Sequence, residues 1–169
     1  MGGLLKLADF LDAFNERLGK LLGGLVIALI IVQFTIVIMS ANFKAGSIWL
    51  QESLLYMNSL LFLGAAGFVL LKDDHVRVDI FYRDKSERIK NLVNLVGHLL
   101  LLVPFLVFVW IIGTPYVATS WANLEGSFET SGLQMVFILK SFFLVFALTL
   151  SFQGLSGIIR TIYALRGGK

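Results

Sequence analysis

The sequence predicts an all-α integral membrane protein with four transmembrane helices, and two observations lead to that fold class. Hydrophobic residues make up 57% of the 169-residue chain and charged residues only 15%, whereas soluble domains carry roughly 25% charged residues. The chain also contains four long stretches with almost no charge, each matching the roughly 20 apolar residues that a helix needs to cross a bilayer. Because lipid offers no hydrogen-bond partner to backbone amides, we expect each stretch to be helical.

The uncharged stretches define four spans within a single domain, residues 1–169. The spans lie near residues 20–42, 48–71, 90–117 and 132–158. The third span is the longest and contains Pro104, Gly113 and Pro115. A proline removes one helical hydrogen bond, so we expect this span to kink or tilt and to change direction at its outer end.

An amphipathic segment precedes the first span. Its apolar residues recur at helical spacing, whereas Lys6, Asp9 and Asp12 occupy other faces. The apolar stripe comprises Leu4, Leu7, Leu11, Phe14 and Leu18. Such a stripe is typical of a helix that lies flat in the membrane interface, so residues 1–19 are predicted to form a separate interfacial helix.

Basic residues orient the chain in the membrane. Lys and Arg collect in short cytoplasmic loops, and twelve of the 14 basic residues fall in the N-terminal arm, the loop between the second and third spans, and the C-terminal tail. Lys44 and Lys140 are left for the other side. We therefore expect both termini to be cytoplasmic. The net charge of +3 then reflects topology and attraction to lipid headgroups, not nucleic-acid binding.

The second span carries an acidic residue near its outer end. Trp49, Glu52 and Tyr56 share one helical face, and an acid within a span usually faces protein or a water-filled cavity. Alternatively, Glu52 only marks the end of the span. Lys140 enters the fourth span at similar depth, so we hypothesise that Glu52 and Lys140 pair. In the competing arrangement, Lys140 extends toward the interface and Glu52 binds a partner subunit.

Other polar and small residues indicate helix packing. Gln33 in the first span and Gln153 in the fourth are placed to hydrogen-bond across helices. Small residues allow helices to approach each other closely, and they recur in three groups. The groups are Gly19 with Gly23, Gly64 with Gly67, and Ala147, Ser151, Gly154 and Gly157.

Catalytic motifs are missing from the sequence. It has no phosphate-binding loop of the Walker type and no cysteine, so we do not expect an enzyme. His98 in the third span would need a second ligand to hold haem, and His75 lies in the charged inner loop. Two alternatives stay open at this point: a small proton-coupled exporter that uses Glu52, and a four-helix haem or quinone protein that uses His98.

The inner loop carries the most specific motif of the chain. His75, Arg77 and Asp79 alternate with apolar residues directly after the second span, an arrangement that suits pairing within the loop or with another subunit. The same overall pattern includes Trp49, Glu52, Tyr56, Lys140 and Gln153. With four spans and both ends inside, most of the chain resembles the small membrane (DctQ-like) subunit of tripartite ATP-independent periplasmic (TRAP) transporters.

The resemblance implies a role in a larger assembly of the bacterial inner membrane. In such systems, a periplasmic binding protein captures an organic acid and delivers it to a large membrane subunit. The large subunit holds the substrate and sodium sites and moves like an elevator. This chain would then bind no cofactor itself. It would brace the large subunit and help to dock the binding protein, and the residues of the pattern would be structural or subunit-interface residues.

Overall fold

The computed structural model describes residues 2–72 and 85–167, which fold into four long helices. The helices are α1 (Gly2–Phe43), α2 (Ile48–Leu71), α3 (Glu87–Ala122) and α4 (Val136–Leu165). Each is long and apolar enough to cross a membrane. The predicted all-helical fold with four spans is therefore confirmed for the described residues, while the motif residues His75, Arg77 and Asp79 lie outside them.

Helix α1 is one unbroken helix of 42 residues, which corresponds to a length of about 63 Å. Residues 2–19 are helical as predicted, but they are the first part of α1 and not a helix of their own, and their position at the membrane interface stays a prediction. The reason lies in its buried stripe, which crosses the predicted boundary without interruption. That stripe comprises Ala8, Leu11, Asn15, Gly19 and Leu22. Because residues on both sides of the boundary pack against the same neighbouring helix, α2, the chain has no cause to bend there.

Helices α1 and α2 form an antiparallel hairpin joined by a short turn. Lys44 adopts a φ of +49° in this turn, and the Leu50 N–H donates to the Ser47 hydroxyl at 3.4 Å, which caps the start of α2. We call the end of the molecule that carries this turn the outer end, after the side that the charges predict. Lys140 at the start of α4 lies at the same end, since residues just before α4 bind the first turns of α2.

Small residues bring the helices together, as their spacing predicts. A Cβ atom on Gly67 would lie 2.6 Å from the Thr149 carbonyl oxygen and 2.7 Å from Asn15 Oδ1, so α1, α2 and α4 meet most closely at this glycine. Gly23 differs, because a Cβ there would meet nothing within 4 Å. Gly23 therefore makes no close contact within residues 2–72 and 85–167, and a contact with a partner subunit stays a prediction.

Helix α3 contains a π-helical turn, His98–Leu102, which ends one residue short of Pro104. Pro104 has no N–H for the carbonyl of Leu100, and a wider turn relieves the clash between the proline ring and that carbonyl. The helix then continues through Gly113 and Pro115 to Ala122. Pro115 therefore does not end the helix, and the change of direction expected at its outer end stays a prediction.

Helix α4 is the centre of the structure. It contacts each of the other three helices, whereas α3 contacts α4 alone among the described elements. Helix α4 begins at Val136, a few residues later than the predicted span, and it extends to Leu165. The later start has a local cause: the Leu133 N–H donates to the Glu52 side chain, so the segment before α4 is held against α2.

Candidate functional site

The outer end holds a polar cluster that we call the outer clasp: Glu52 and Tyr56 of α2 with Ser127 and Leu133 of the loop between α3 and α4. The Ser127 hydroxyl donates to Glu52 Oε1 at 2.5 Å, and the Leu133 N–H donates to Oε2 at 2.5 Å. The Tyr56 hydroxyl donates to the Leu133 carbonyl oxygen at 3.5 Å. One glutamate side chain thus binds the loop at two points.

The outer clasp fixes the conformation of residues 127–133. Gly132 lies so close to α2 that a Cβ atom there would be 2.6 Å from both Glu52 oxygens. The Ser127 oxygen also accepts the Glu129 N–H at 3.1 Å. Between these anchors, the Phe128 side chain is fully exposed. The loop is therefore bound at its two ends and presents an aromatic residue between them.

Lys140 binds a second acidic residue of the same loop. Its ammonium lies 2.5 Å from Glu125 Oε2 and 4.4 Å from the centre of the Tyr116 ring. Leu124, with a φ of +44°, turns the chain at the end of α3, and Glu125 also accepts a hydrogen bond from the Ser120 hydroxyl at 2.7 Å. The Lys140 ammonium, followed by the Ser120 hydroxyl, lowers the pKa of Glu125 below its ordinary value of 4.5.

The hypothesis that Glu52 pairs with Lys140 is therefore wrong. Among the described residues, Lys140 forms its ion pair with Glu125, and Glu52 is occupied by Ser127 and Leu133. The physical reason is that the outer loop folds back over the helix ends and supplies each charged side chain with its own partner. Both predicted site residues bind one loop instead of each other.

Trp49 does not join the outer clasp, although it shares a helical face with Glu52 and Tyr56. Its side chain is 54% exposed. Trp49 is at the second position of α2, at the outer end of the predicted span, where aromatic residues are enriched at membrane interfaces.

A second polar cluster lies between the N-terminal part of α1 and the C-terminal part of α4, and we call it the inner polar cluster. It comprises Asp12, Asn15, Gln153, Ser156 and Arg160. The Asn15 amide donates to Gln153 Oε1 at 3.0 Å, and Gln153 Nε2 donates to Asp12 Oδ1 at 3.0 Å. Ser156 donates to Asp12 Oδ1 at 2.6 Å, and Arg160 Nε donates to Asp12 Oδ2 at 2.9 Å. The predicted hydrogen bond of Gln153 across helices is thereby confirmed.

Of this cluster, only Gln153 is predicted from the sequence to bind across helices. A matching pattern was present on both helices. Asp9 and Asp12 stand three residues apart on α1, and Gln153, Ser156 and Arg160 follow the same helical spacing on α4. Arg160 Nη2 contacts both acids at 2.6 Å. Facing stripes of acidic and donor side chains at one end of two spans indicate a helix contact.

His98 makes a local contact within α3. Its Nδ1 lies 2.6 Å from the Asn94 carbonyl oxygen, and a Cβ on Gly157 would lie 2.6 Å from its Nε2, so the ring packs against α4. Within residues 2–72 and 85–167, no three His, Asp or Glu side chains come together as metal ligands. The arrangement matches a packing histidine in the helix interface.

Comparison with known proteins places the chain in a family. No curated protein and no solved structure matches it. One family model does, described as tripartite ATP-independent periplasmic transporters, DctQ component, and it covers residues 28–163. The match includes the outer clasp, Lys140 and Gln153. This chain therefore belongs to the DctQ family, the small membrane subunits of TRAP transporters.

Proposed function

We propose that this chain is the fixed scaffold subunit of a sodium-coupled TRAP transporter for organic acids in a bacterial inner membrane. In this assembly, a large membrane subunit carries the substrate and sodium sites and moves like an elevator. The chain braces that subunit, and its outer loop helps to dock the periplasmic binding protein. Both termini and the basic central loop lie in the cytoplasm.

The observation that carries the scaffold role is the use of polar groups inside the chain. Both Glu52 oxygens accept hydrogen bonds from the outer loop, and Lys140 is paired with Glu125. A proton-coupled exporter needs an acid that is free to bind and release its ion in a cavity. Here these charged groups hold loops and helices in fixed positions, as a static subunit requires.

The outer loop supports a role in docking the binding protein. The outer clasp and the Glu125–Lys140 pair hold the loop at several points, while Phe128 between them is fully exposed. An aromatic side chain on a loop of fixed shape loses little conformational entropy on binding. A periplasmic partner would meet this loop first if the outer end faces the periplasm.

Co-purification tests the proposal. We expect the chain, expressed with the large subunit of its transporter and carrying the only affinity tag, to retain that subunit through size-exclusion chromatography in mild detergent. The tagged chain carrying Phe128→Ala should retain the large subunit equally but bind less of the periplasmic protein. A chain that elutes alone under the conditions in which the large subunit stays folded would contradict the scaffold role.

A further inference from the structure

An open groove runs between α1 and α2 in their outer halves. Its volume is about 620 Å³. Apolar side chains such as Phe34 and Leu55 form most of its walls, and three amide side chains complete the lining: Gln33 of α1, and Gln51 and Asn58 of α2.

The three amides have no hydrogen-bond partner within residues 2–72 and 85–167, and all three are exposed. The amides of Asn15 and Gln153 differ, because both bind across helices in the inner polar cluster. The groove therefore gathers unused donors and acceptors on one surface of the hairpin.

The position of Gln33 makes this arrangement costly in lipid. It lies near the middle of the uncharged stretch of α1, ten residues before the end of the helix at Phe43, which is a distance of about 15 Å along the helix. Its short side chain cannot span that distance to the interface. An amide in hydrocarbon without a partner is unfavourable, whereas exposed apolar residues on the same helices are compatible with lipid.

The other helices of the chain leave this groove open. Tyr56 and Ser59 of α2 face the start of α4, whereas Gln51, Leu55 and Asn58 lie on a different face of the same helix. Helix α3 contacts α4 alone among the described elements. A partner for the three amides must therefore come from outside the described part of the chain.

We propose that the groove receives a transmembrane helix of the large subunit, and that this helix supplies hydroxyl, amide or carbonyl groups to Gln33, Gln51 and Asn58. The proposal rests on the proposed function, which requires a membrane partner. The shape of the surface favours one convex helix, because two identical concave grooves facing each other cannot fill one another. Interhelical hydrogen bonds and close packing are the interactions that join helices within a membrane.

Photo-cross-linking of the complex in native membranes tests the location. A photoreactive residue in place of Leu55 should cross-link to the large subunit, and one in place of Phe108, an apolar position on α3 that is also exposed, should label lipid. Cross-links from Leu55 to lipid alone or to a second copy of the chain would overturn the proposal. So would cross-links to the large subunit from Phe108 but not from Leu55.

Substitution of the amides tests their chemistry. Gln33→Leu and Asn58→Leu should each weaken association with the large subunit about 3-fold to 15-fold, and the variant with all three amides replaced by leucine should lose at least about 20-fold. Thr35→Val is the matched control, since its hydroxyl donates to Ile31 within α1 at 2.8 Å, and it should bind as the wild type does. Equal affinities for all variants would overturn the proposal, whereas no association in the wild type would refute the scaffold function itself.

Discussion

Removal of the Glu52 side chain should release the outer loop. Glu52→Ala deletes two hydrogen bonds, from the Ser127 hydroxyl and the Leu133 N–H, each 2.5 Å long. Hydrogen bonds to charged groups contribute about 1.5 to 3 kcal/mol each. Because Glu52 is only partly buried, the lower value applies to each bond, and we expect a loss of about 3 kcal/mol in the free energy of unfolding. Glu52→Gln should lower the free energy of unfolding by less. The glutamine amide keeps one oxygen that accepts a hydrogen bond and gains an N–H group that can donate to the Ser127 oxygen.

A double-mutant cycle between Glu52 and Ser127 isolates the contact. The unfolding free energy is measured in mixed detergent micelles for Glu52→Ala, Ser127→Ala and the double variant. Ser127→Ala should cost about 1.5 kcal/mol more in the wild type than after Glu52→Ala, because in both backgrounds it also removes the acceptor of the Glu129 N–H. Ser53→Ala is the control, because the Ser53 hydroxyl donates to Leu50 within α2 and should not couple to Glu52. Coupling below about 0.5 kcal/mol between Glu52 and Ser127 would refute the outer clasp.

Three further predictions concern pH, packing and topology. The pKa of Glu125 is lowered from 4.5, so its contribution to stability is complete above that value and is lost as the pH falls through the lower folded-state pKa; the difference in melting temperature between wild type and Glu125→Gln should shrink on acidification, and a constant difference would oppose this. Gly67→Ala should destabilise by about 1 to 3 kcal/mol because its Cβ meets α4 and α1, whereas Gly23→Ala, which meets open space, should be neutral or stabilising in the same melting assay. In this cysteine-free chain, Phe128→Cys should react with a membrane-impermeant thiol reagent in intact cells and Ser86→Cys should not; the reverse pattern would overturn the predicted orientation.

Sequence patterns predict the four helices because crossing a bilayer demands a length and an apolarity that few other structures require. They also predict the close contact at Gly67 and the cross-helix hydrogen bond of Gln153. Small residues in a span let two helices approach closely, and polar residues in a span hydrogen-bond across helices. These features depend on local composition. The family resemblance of the chain to the DctQ subunits, confirmed over residues 28–163, rests on the same local patterns.

Tertiary contacts explain what the sequence does not predict. Asp9 and Asp12 suggest a segment that lies flat at the membrane surface, but Arg160 of α4 forms ion pairs with both, and α1 continues into the first span as one helix. The partner of Lys140 depends on the turn at Leu124, whose positive φ directs Glu125 back over the end of α3. A leucine with a positive φ cannot be recognised from the sequence, because glycine or asparagine usually adopts this left-handed conformation.

Transport by reconstituted liposomes tests the central claim most directly. With an inward sodium gradient and a panel of labelled organic acids, we expect uptake by liposomes that hold this chain and the large subunit, supplied with the periplasmic binding protein. Liposomes that hold this chain alone should take up nothing. Sodium-driven uptake by the chain alone, or full uptake by the large subunit and binding protein without it, would contradict its role as a required scaffold subunit.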